Sequence, residues 1–497
     1  MAKLNIGLVK SVAVIGGGPC GAATIKALLK EAAFSKIVGF ERRAGTGGLW
    51  NYYDSNKGPE PTKVPSTDPH RLDSISPIRL ASDKYVWPSA IYELMDTNVP
   101  YHIMEYSGFP FPKNSPLFPT KQQVLEYIQE YSKEVEPYIH FGTNVVSVKF
   151  RPDETHRWQV TYRKVCDATA GGLKESPDHP DQTEEFDAVL VASGHYELPY
   201  VPEKPGLADW ALKFPGSVSH SKNYRHPRQF ENLDGNLVVV GNSASGSDLA
   251  YQLASYLNRK VYKSARSKSM LPGGSSDYII TVPDIASFEP ETKSIRFQDG
   301  TVVENVAHII FATGFLRHYP FLDEINSSQT PIVTDGLRLH GLYKQCVSYN
   351  FPGLALIATP RYVLPTRLSE TQAIWLAKIF QGQLELPSIE EMKQDELRTV
   401  ELMGDSPKFH NLFYPDDVRY AKELNNQIYS TPDWDSKLAP VEWNERDMQY
   451  RASATAMKEA YIRYRELNNG ERVTDVDALR QGVEFELEPV DEEVLKL

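Results

Sequence analysis

Cysteine is scarce in this chain: three in 497 residues, Cys20, Cys166 and Cys346, far apart and with no C-x-x-C among them. That excludes a disulfide framework and a dithiol redox motif, and no Cys/His grouping has the spacing of a zinc site. The pattern fits a reducing, cytoplasmic compartment. Long apolar runs are also missing, so no segment approaches the roughly 20 residues that cross a bilayer as a helix. Basic residues are outnumbered, 53 Lys and Arg against 65 Asp and Glu, for a net charge of −12. This argues against nucleic acid or an anionic membrane surface as the main partner. Any anion site must then be local, made of backbone N–H groups and a few placed cations. The opening "MAKLNIGLVKSVAVIGGG" has an early lysine and an apolar run, but the run leads straight into a glycine turn. It reads as a first strand, not a secretory signal. The closing "VDEEVLKL" is charged, so no hydrophobic anchor is expected there, and the acidic tail "VEFELEPVDEEVLKL" (483–497) is expected to be loosely ordered.

What is present is ordinary globular composition, 41% hydrophobic and 24% charged, at a length suited to two or three domains or one composite enzyme. "SVAVIGGGPCGAATIKALLKEAAFSKIVGFERR" reads as a βαβ unit: a buried strand over 11–15, a helix over 19–33, a second strand over 36–40 closed by Glu41. Gly16, Gly18 and Gly21 form G-x-G-x-x-G directly after the strand and opening the helix. Such glycines allow the tight turn, the approach of a pyrophosphate and close helix-to-strand packing. The helix N-terminus offers unpaired N–H groups to phosphate, and an acid about 20 residues on can take a ribose hydroxyl. The competing reading is a tight turn without a ligand. In "GTGGLWNY", Gly47 and Gly48 permit close backbone approach, while Trp50 is read as a core side chain. Cys20, inside the glycine loop, is read as a small residue that fits.

Further on, "FPTKQQVLEYIQEYSKEV" predicts a helix capped by Thr120, followed by strands in "NVVSVKF" and "WQVTYRKV", a polar hairpin tip between Cys166 and Glu185, and a strand in "FDAVLVASGHY". The Pro-rich stretch 51–80 is expected to be a surface excursion or lid. "LDGNLVVVGNSASGSDLAYQLASYLNRKVYKSARS" is a second βαβ unit, with Gly241 and Gly246 in the first and third glycine roles and Ser243 in the middle one. No acid ends its second strand; Ser264-Ala265-Arg266 stands there. A missing carboxylate plus an arginine fits the 2′-phosphate of NADP rather than NAD, although an isolated Arg266 would equally be a solvated surface charge. Two dinucleotide folds imply two dinucleotides, a resident flavin and a diffusible nicotinamide, and with them a flavoprotein reductase or monooxygenase. "FATGF" (311–315) and "VASGHY" (191–196) read as the turns that close the two domains onto each other. From about residue 384 the chain is helix-rich and more charged.

Between the two glycine patterns lies "FPGSVSHSKNYRHP", with Phe214, Gly216, His220 and Tyr224 at fixed steps. In this setting the sequence resembles the flavin-containing monooxygenases, identified by F-x-G-x-x-x-H-x-x-x-Y/F at this place. The resemblance takes in the first glycine turn with Glu41, "GGLW", "GNSASG", Ser264 with Arg266, "FATGF", "LSETQA" (368–373) and "YELMDTNVP", which matches the family's active-site asparagine segment at Asn98. "VPST" and "GHYELPYVP" look closest to the fungal members that oxidise thiols.

The resemblance implies an α/β fold of two Rossmann-like domains, an NADPH domain (198–319) inserted into a discontinuous FAD domain (1–197 and 320–497). It implies FAD held by Gly16, Gly18, Pro19, Cys20, Gly21, Glu41, Arg42, Gly48, Leu49, Trp50 and Val145. NADPH would be held by Gly241, Ser243, Ser245, Gly246, Ser264 and Arg266. The implied reaction oxygenates soft nucleophiles, thiols, sulfides or amines, with dioxygen through a C4a-hydroperoxyflavin shielded by bound NADP+. Asn98 bears on the flavin, the motif helps to orient the two domains, and His220 is read as a structural histidine. Tyr224 speaks against the Baeyer–Villiger enzymes, which carry tryptophan there. An N-hydroxylating enzyme and a non-catalytic flavin-binding protein stay open, as do a homodimer and peripheral attachment to the endoplasmic reticulum.

Overall fold

The computed structural model describes the chain except residues 1–3, 5, 54–61, 72–76, 80–84, 155–156, 170–171, 176–178, 268–270, 272 and 497. All five residues of the first strand, β1 (Ser11–Ile15), are buried. The period of two divides them. Val12 and Val14 enter a core shared with helices, and Ala13 and Ile15 enter a second core on the opposite face of the sheet. A strand covered on both faces needs no polar side, which is why it reads as a continuous apolar run. Helix α1 (Pro19–Glu31) starts at Gly18 with Pro19 at its first position, where a missing N–H costs nothing. Strand β2 (Lys36–Glu41) follows.

Helix α2 (Lys121–Ser132) begins at Thr120 in a capping box with Gln123, as its sequence predicts. Then come β3 (Ile139–Phe141), an antiparallel sheet of Thr143–Phe150, Trp158–Lys164 and Gln182–Phe186, and β4 (Ala188–Val191). The chain next builds β5 (Val218–His220), β6 (Asn236–Val240), α3 (Ala244–Leu257), β7 (Val261–Ser264), β8 (Ile279–Val282) and β9 (Val306–Phe311). It returns with β10 (Leu354–Leu356) and α4 (Pro365–Phe380).

Two sheets result. In the seven-stranded one, β10-β4-β1-β2-β3 run parallel in that order, extended beyond β10 by Val347–Ser348 and Leu342–Tyr343. The five-stranded one is parallel throughout, in the order β5-β9-β6-β7-β8. Strands β4 and β10 are neighbours in the first sheet, yet every residue of the second sheet lies between them in sequence. The second unit is therefore inserted into the first. Its two crossings pair with each other: Leu198–Pro199 and Phe315–Leu316 form a short antiparallel ribbon, with Leu198 opposite Leu316.

Beyond α4, six further helices lie between Ile389 and Lys496 among the described residues. Here the expectation of a loose acidic tail is overturned. Val483 and Val494 are buried, Phe485, Leu487 and Val490 pack on satellite cores, and Glu488 N–H donates to Ser453 Oγ at 2.8 Å. The charge run hides apolar residues spaced so that one side of the segment docks while the carboxylates face water. Two other expectations are only partly within reach. The hairpin tip forms as Cys166–Thr169 against Gly172–Glu175, with residues 170–171 and 176–178 outside the described set. Of the stretch 51–80, residues 54–61, 72–76 and 80 lie outside it; the described part is tied down, Ser66 pairing with Val201 and His318 Nδ1 lying 2.6 Å from the Pro69 carbonyl.

Helices α1 and α4 meet across small side chains, Ala22, Ala23 and Ala27, and share a buried ion pair. Lys378 Nζ lies 2.9 Å from Glu31, with the two side chains 1% and 2% exposed, and Gln381 Nε2 donates to the same carboxylate at 2.9 Å. Removing one partner leaves an uncompensated buried charge. Lys378→Met is expected to cost about 3–5 kcal/mol, and the double change Glu31→Gln with Lys378→Met to recover most of that. Denaturant midpoints of the three proteins test this; a single variant as stable as the parent contradicts it.

Candidate functional site

Both parallel sheets end in the same strand–glycine–helix turn, and the two turns have the same internal geometry. Gly16 has φ +111°, and a Cβ on it would sit 2.7 Å from the Ala192 carbonyl oxygen; a Cβ on Gly21 would sit 1.8 Å from the Gly16 carbonyl oxygen. Gly241 has φ +125° with Ala312 O at 2.4 Å, and a Cβ on Gly246 would sit 2.2 Å from the Gly241 carbonyl oxygen. No side chain fits at these positions. The absence of Cβ brings the first turn of each helix against its own strand and leaves its N–H groups facing outward, as an anion site requires. Ala192 and Ala312, the residues met by the first glycines, open the turns after β4 and β9. Gly194 and Gly314 in those turns have φ +72° and +87° with nothing within 4 Å of a Cβ. Open space lies there, and Tyr196 keeps 47% exposure while its ring packs edge-on against Phe315 at 5.4 Å. These two cradles fit two dinucleotides.

At the first cradle Glu41 is buried and its two oxygens each accept a backbone N–H at 2.7 Å, from Gly17 and Arg43. A carboxylate has about four acceptor positions, so it ties the turn to β2 and keeps capacity for a ribose hydroxyl. The "GGLW" loop lies against the turn: Gly47 N–H donates to Gly17 O at 3.3 Å, and Gly48 packs against the Gly18 backbone. Trp50 is half-buried against the helical core. Pro19 O accepts the Tyr106 hydroxyl at 2.9 Å. Burial pushes the Cys20 thiol up to about 11, with Ser369 opposing, so it stays protonated as its bland sequence reading supposed. Leu49 O accepts the Ser89 hydroxyl, and Val145 is buried in the antiparallel sheet beside a register shift.

At the second cradle Ser243 is the exposed N-cap of α3 and Ser245 stands in its first turn, half-buried. The Ser264 hydroxyl already donates to Pro283 O at 2.9 Å, and the residue is 3% exposed. It fixes the end of β7 and leaves Arg266, exposed and without an ion pair among the described residues, as the group open to a phosphate. Asn242 was not anticipated: its Nδ2 donates to Ser267 O at 2.6 Å and so ties the glycine turn to the loop carrying Arg266. A small amide inside the glycine pattern was its only signal.

The motif residues pack within the second unit, and charged residues beside them reach the first. Phe214 packs on Trp210 at 5.0 Å, and Gly216 takes φ +83°. His220 is fully buried; its Nδ1 accepts Lys222 N–H at 3.1 Å and its ring meets Phe315 edge-on at 5.0 Å. Burial pushes it down to about 3, so it is neutral at physiological pH. Tyr224 donates its hydroxyl to Gln252 Oε1 of α3 at 2.9 Å. Three charged residues that the sequence reading missed lie beside them. Glu197 takes Lys222 Nζ at 2.7 Å and is also paired with Arg42, whose guanidinium covers Trp87 at 4.4 Å. Burial alone would raise Glu197, but Arg42 and Lys222 bring it down to about 2. Arg225 donates to Ile91 O at 3.1 Å and to the Tyr53 hydroxyl at 2.8 Å. Long-range partners of this kind have no fixed sequence spacing, so no pattern announced them.

Asn98 is half-buried on the loop that follows Ile91. That loop is wedged between "GGLW", the motif and α3: Ser89 bonds Leu49, Glu93 N–H donates to Arg225 O at 2.8 Å, and the Tyr92 hydroxyl is bonded to Asp248. The loop that carries Asn98 is thus tied to "GGLW", to the motif segment and to α3, the helix of the second glycine turn.

The family model for flavin-binding monooxygenase-like proteins matches residues 87–279 and 276–438. The thiol-specific monooxygenase of Saccharomyces cerevisiae is 28% identical over 468 residues, 90% of this chain and 92% of that protein. The flavin-containing monooxygenase FMO GS-OX-like 4 of Arabidopsis thaliana is 33% identical over 406 residues, 78% of this chain and 80% of that protein. Among solved structures, S-allyl-L-cysteine S-oxygenase from Allium sativum aligns with a TM-score of 0.70 at 26% identity, covering 95% of this chain and 97% of that one.

Two outcomes are expected. Gly21→Val, which drives a side chain into Gly16 O, should yield protein without bound flavin, read from the visible spectrum of purified material; a fully yellow variant would count against the first cradle. The depressed His220 gives a sign. The unfolded chain binds a proton near pH 6.5 that the folded chain refuses until about pH 3, so stability falls as pH falls through that window. His220→Asn should flatten the dependence by up to about 1.4 kcal/mol per pH unit there, and an unchanged slope of unfolding free energy against pH would refute the assignment.

Proposed function

The chain belongs to the flavin-binding monooxygenase-like family and is a flavin-dependent monooxygenase; from that premise we propose that it uses FAD, NADPH and dioxygen to oxygenate soft sulfur nucleophiles, thiols or sulfides. The observation that supports this is the presence of two glycine-turn cradles in one chain, one in each sheet, with the loop of Asn98 tied both to "GGLW" and to α3. The sulfur class rests on the names of the relatives, a thiol-specific monooxygenase and an S-allyl-L-cysteine S-oxygenase. We draw the domain boundaries at 197/198 and 319/320, beside the ribbon of Leu198–Pro199 and Phe315–Leu316. A cytoplasmic location agrees with Cys20 and Cys346 both standing as free thiols; among the described residues no helix is long and apolar enough to cross a membrane.

When bound, a flavin would supply the redox chemistry, hydride acceptance from a nicotinamide and activation of dioxygen. The chain's own residues bind, orient and shield. The N-terminus of α1 takes the FAD diphosphate, and Glu41 takes a ribose hydroxyl with the acceptor capacity its two backbone bonds leave over. The N-terminus of α3 takes the nicotinamide dinucleotide, with Arg266 against its 2′-phosphate. Asn98 offers an amide, at once donor and acceptor, at the reacting centre. His220, neutral and enclosed, brings no exchangeable charge into the cleft. No nucleophile–base pair is required, because a thiol or sulfide is itself the nucleophile; exclusion of water and protons is the protein's part.

Arg266→Ala should weaken NADPH about 10–100-fold, the loss of a charge-assisted contact, and leave NADH nearly unaffected; equal losses would remove Arg266 from the phosphate site. Asn98→Ala should oxidise NADPH with release of hydrogen peroxide and little oxygenated product. Full coupling in that variant, with glutathione and a tertiary amine as alternative substrates, would take Asn98 out of the reaction. Faster turnover of the amine than of the thiol would overturn the sulfur assignment.

A further inference from the structure

We propose that Lys458 is a positioning residue for Asn98: from a C-terminal helix it holds the Thr97 carbonyl and so fixes the peptide plane from which Asn98 projects. The inference rests on Asn98 having the role given above. Lys458 lies on Ala454–Leu467, is 7% exposed, and donates from Nζ to Thr97 O at 2.7 Å. The carbonyl of Thr97 and the N–H of Asn98 belong to one rigid plane. Anchoring the first sets the direction in which the second residue leaves.

The remaining bonds of the loop hold its flanks. Tyr92 is bonded to Asp248 of α3, Gln252 Nε2 reaches Leu94 O at 3.5 Å, and Arg465 and Arg472 each lie 2.9 Å from Asp96. Thr97 N–H donates to Pro119 O at 2.9 Å and its hydroxyl to Val99 O at 2.8 Å. Among the described residues only Lys458 holds the carbonyl that adjoins Asn98. Packing alone does not call for a charge there. The Lys458 ammonium lies over the rings of Phe118 and Tyr461, at 4.9 and 5.4 Å, where methionine would fit the same space. An ammonium is costly to bury, and this one is directed at the loop.

The same arrangement also ties the loop to the nicotinamide half. Asp248, one of the two carboxylates facing Lys458, sits on α3, whose N-terminus forms the second cradle, and Gln252 of that helix accepts the Tyr224 hydroxyl. The charged groups around Lys458 are Asp96 and Asp248, which favour its ammonium, and Arg465 and Arg472, which oppose it. With burial the largest influence, it is brought down to about 8.

The test compares Lys458→Met, Asn98→Ala and the double variant in FAD-loaded protein, with glutathione as substrate. Lys458→Met is expected to raise hydrogen peroxide released per NADPH several-fold while the anaerobic rate of flavin reduction by NADPH stays within twofold. The double variant should be no more uncoupled than Asn98→Ala alone; additive uncoupling would overturn the proposal, since Lys458 would then act by another route. In the parent, uncoupling should rise with pH through about 8, and in Lys458→Met it should be high and flat; identical pH profiles would refute the proposal. Hydrogen exchange supplies a readout independent of turnover. Amides of the loop following Tyr92 should exchange several-fold faster in Lys458→Met, with α1 unchanged, and unchanged loop exchange would also overturn it. If Asn98→Ala proves fully coupled, the role of Asn98 itself fails; if it is uncoupled and Lys458→Met is not, only the present proposal does.

Discussion

Two main chains pass each other more closely than any Cβ permits, and the rest of the molecule follows from that. Where Gly21 faces the Gly16 carbonyl, and Gly246 the Gly241 carbonyl, a helix is pressed against the strand that precedes it and its unpaired N–H groups are turned toward the end of the sheet. Each turn is in turn pressed on the first residue of a neighbouring one, Ala192 or Ala312. The four turns therefore form two sets, each made at the carboxyl ends of adjacent parallel strands, where binding sites of such sheets are found. An insertion between β4 and β10 supplies the second cradle.

What keeps the two halves in register is a small number of polar contacts at the crossing. The ribbon of Leu198–Pro199 and Phe315–Leu316 lets the chain pass twice through one narrow place. Immediately before it, Glu197 accepts Lys222 from the motif and pairs with Arg42 from the end of β2. Two cations around one enclosed carboxylate hold it ionised well below the usual range, and the ionised group in turn satisfies both cations. The family motif lies on this joint. His220 and Tyr224 are buried in it, one capping the short turn that carries Lys222, the other bonded to α3. These residues bring no reactive chemistry of their own; they serve the packing of this joint.

The C-terminal segment reaches back to the body. Lys458 and Arg465 on Ala454–Leu467, and Arg472 just beyond it, are three cations that converge on the loop of Asp96 and Asn98. A segment that in sequence looks like a charged appendage is packed, through Val483, Leu487 and Val494, onto the body.

Much was legible in the residues alone, because the information was local. A buried strand, a G-x-G-x-x-G turn and a helix must occur within a few residues of one another, so their order in sequence is their order in space. Glu41, the two glycine patterns, the absence of an acid after β7 and the Thr120 cap were all readable for that reason. Tertiary structure alone decided that Ser264 gives its hydroxyl to Pro283, that the acidic tail is docked, and which partners Glu197, Arg225, Asp248 and Lys458 take. Their partners lie tens to hundreds of residues away. A side chain's chemistry shows that it can pair, but only the folded chain, by bringing distant segments within hydrogen-bond distance and excluding water between them, selects with what.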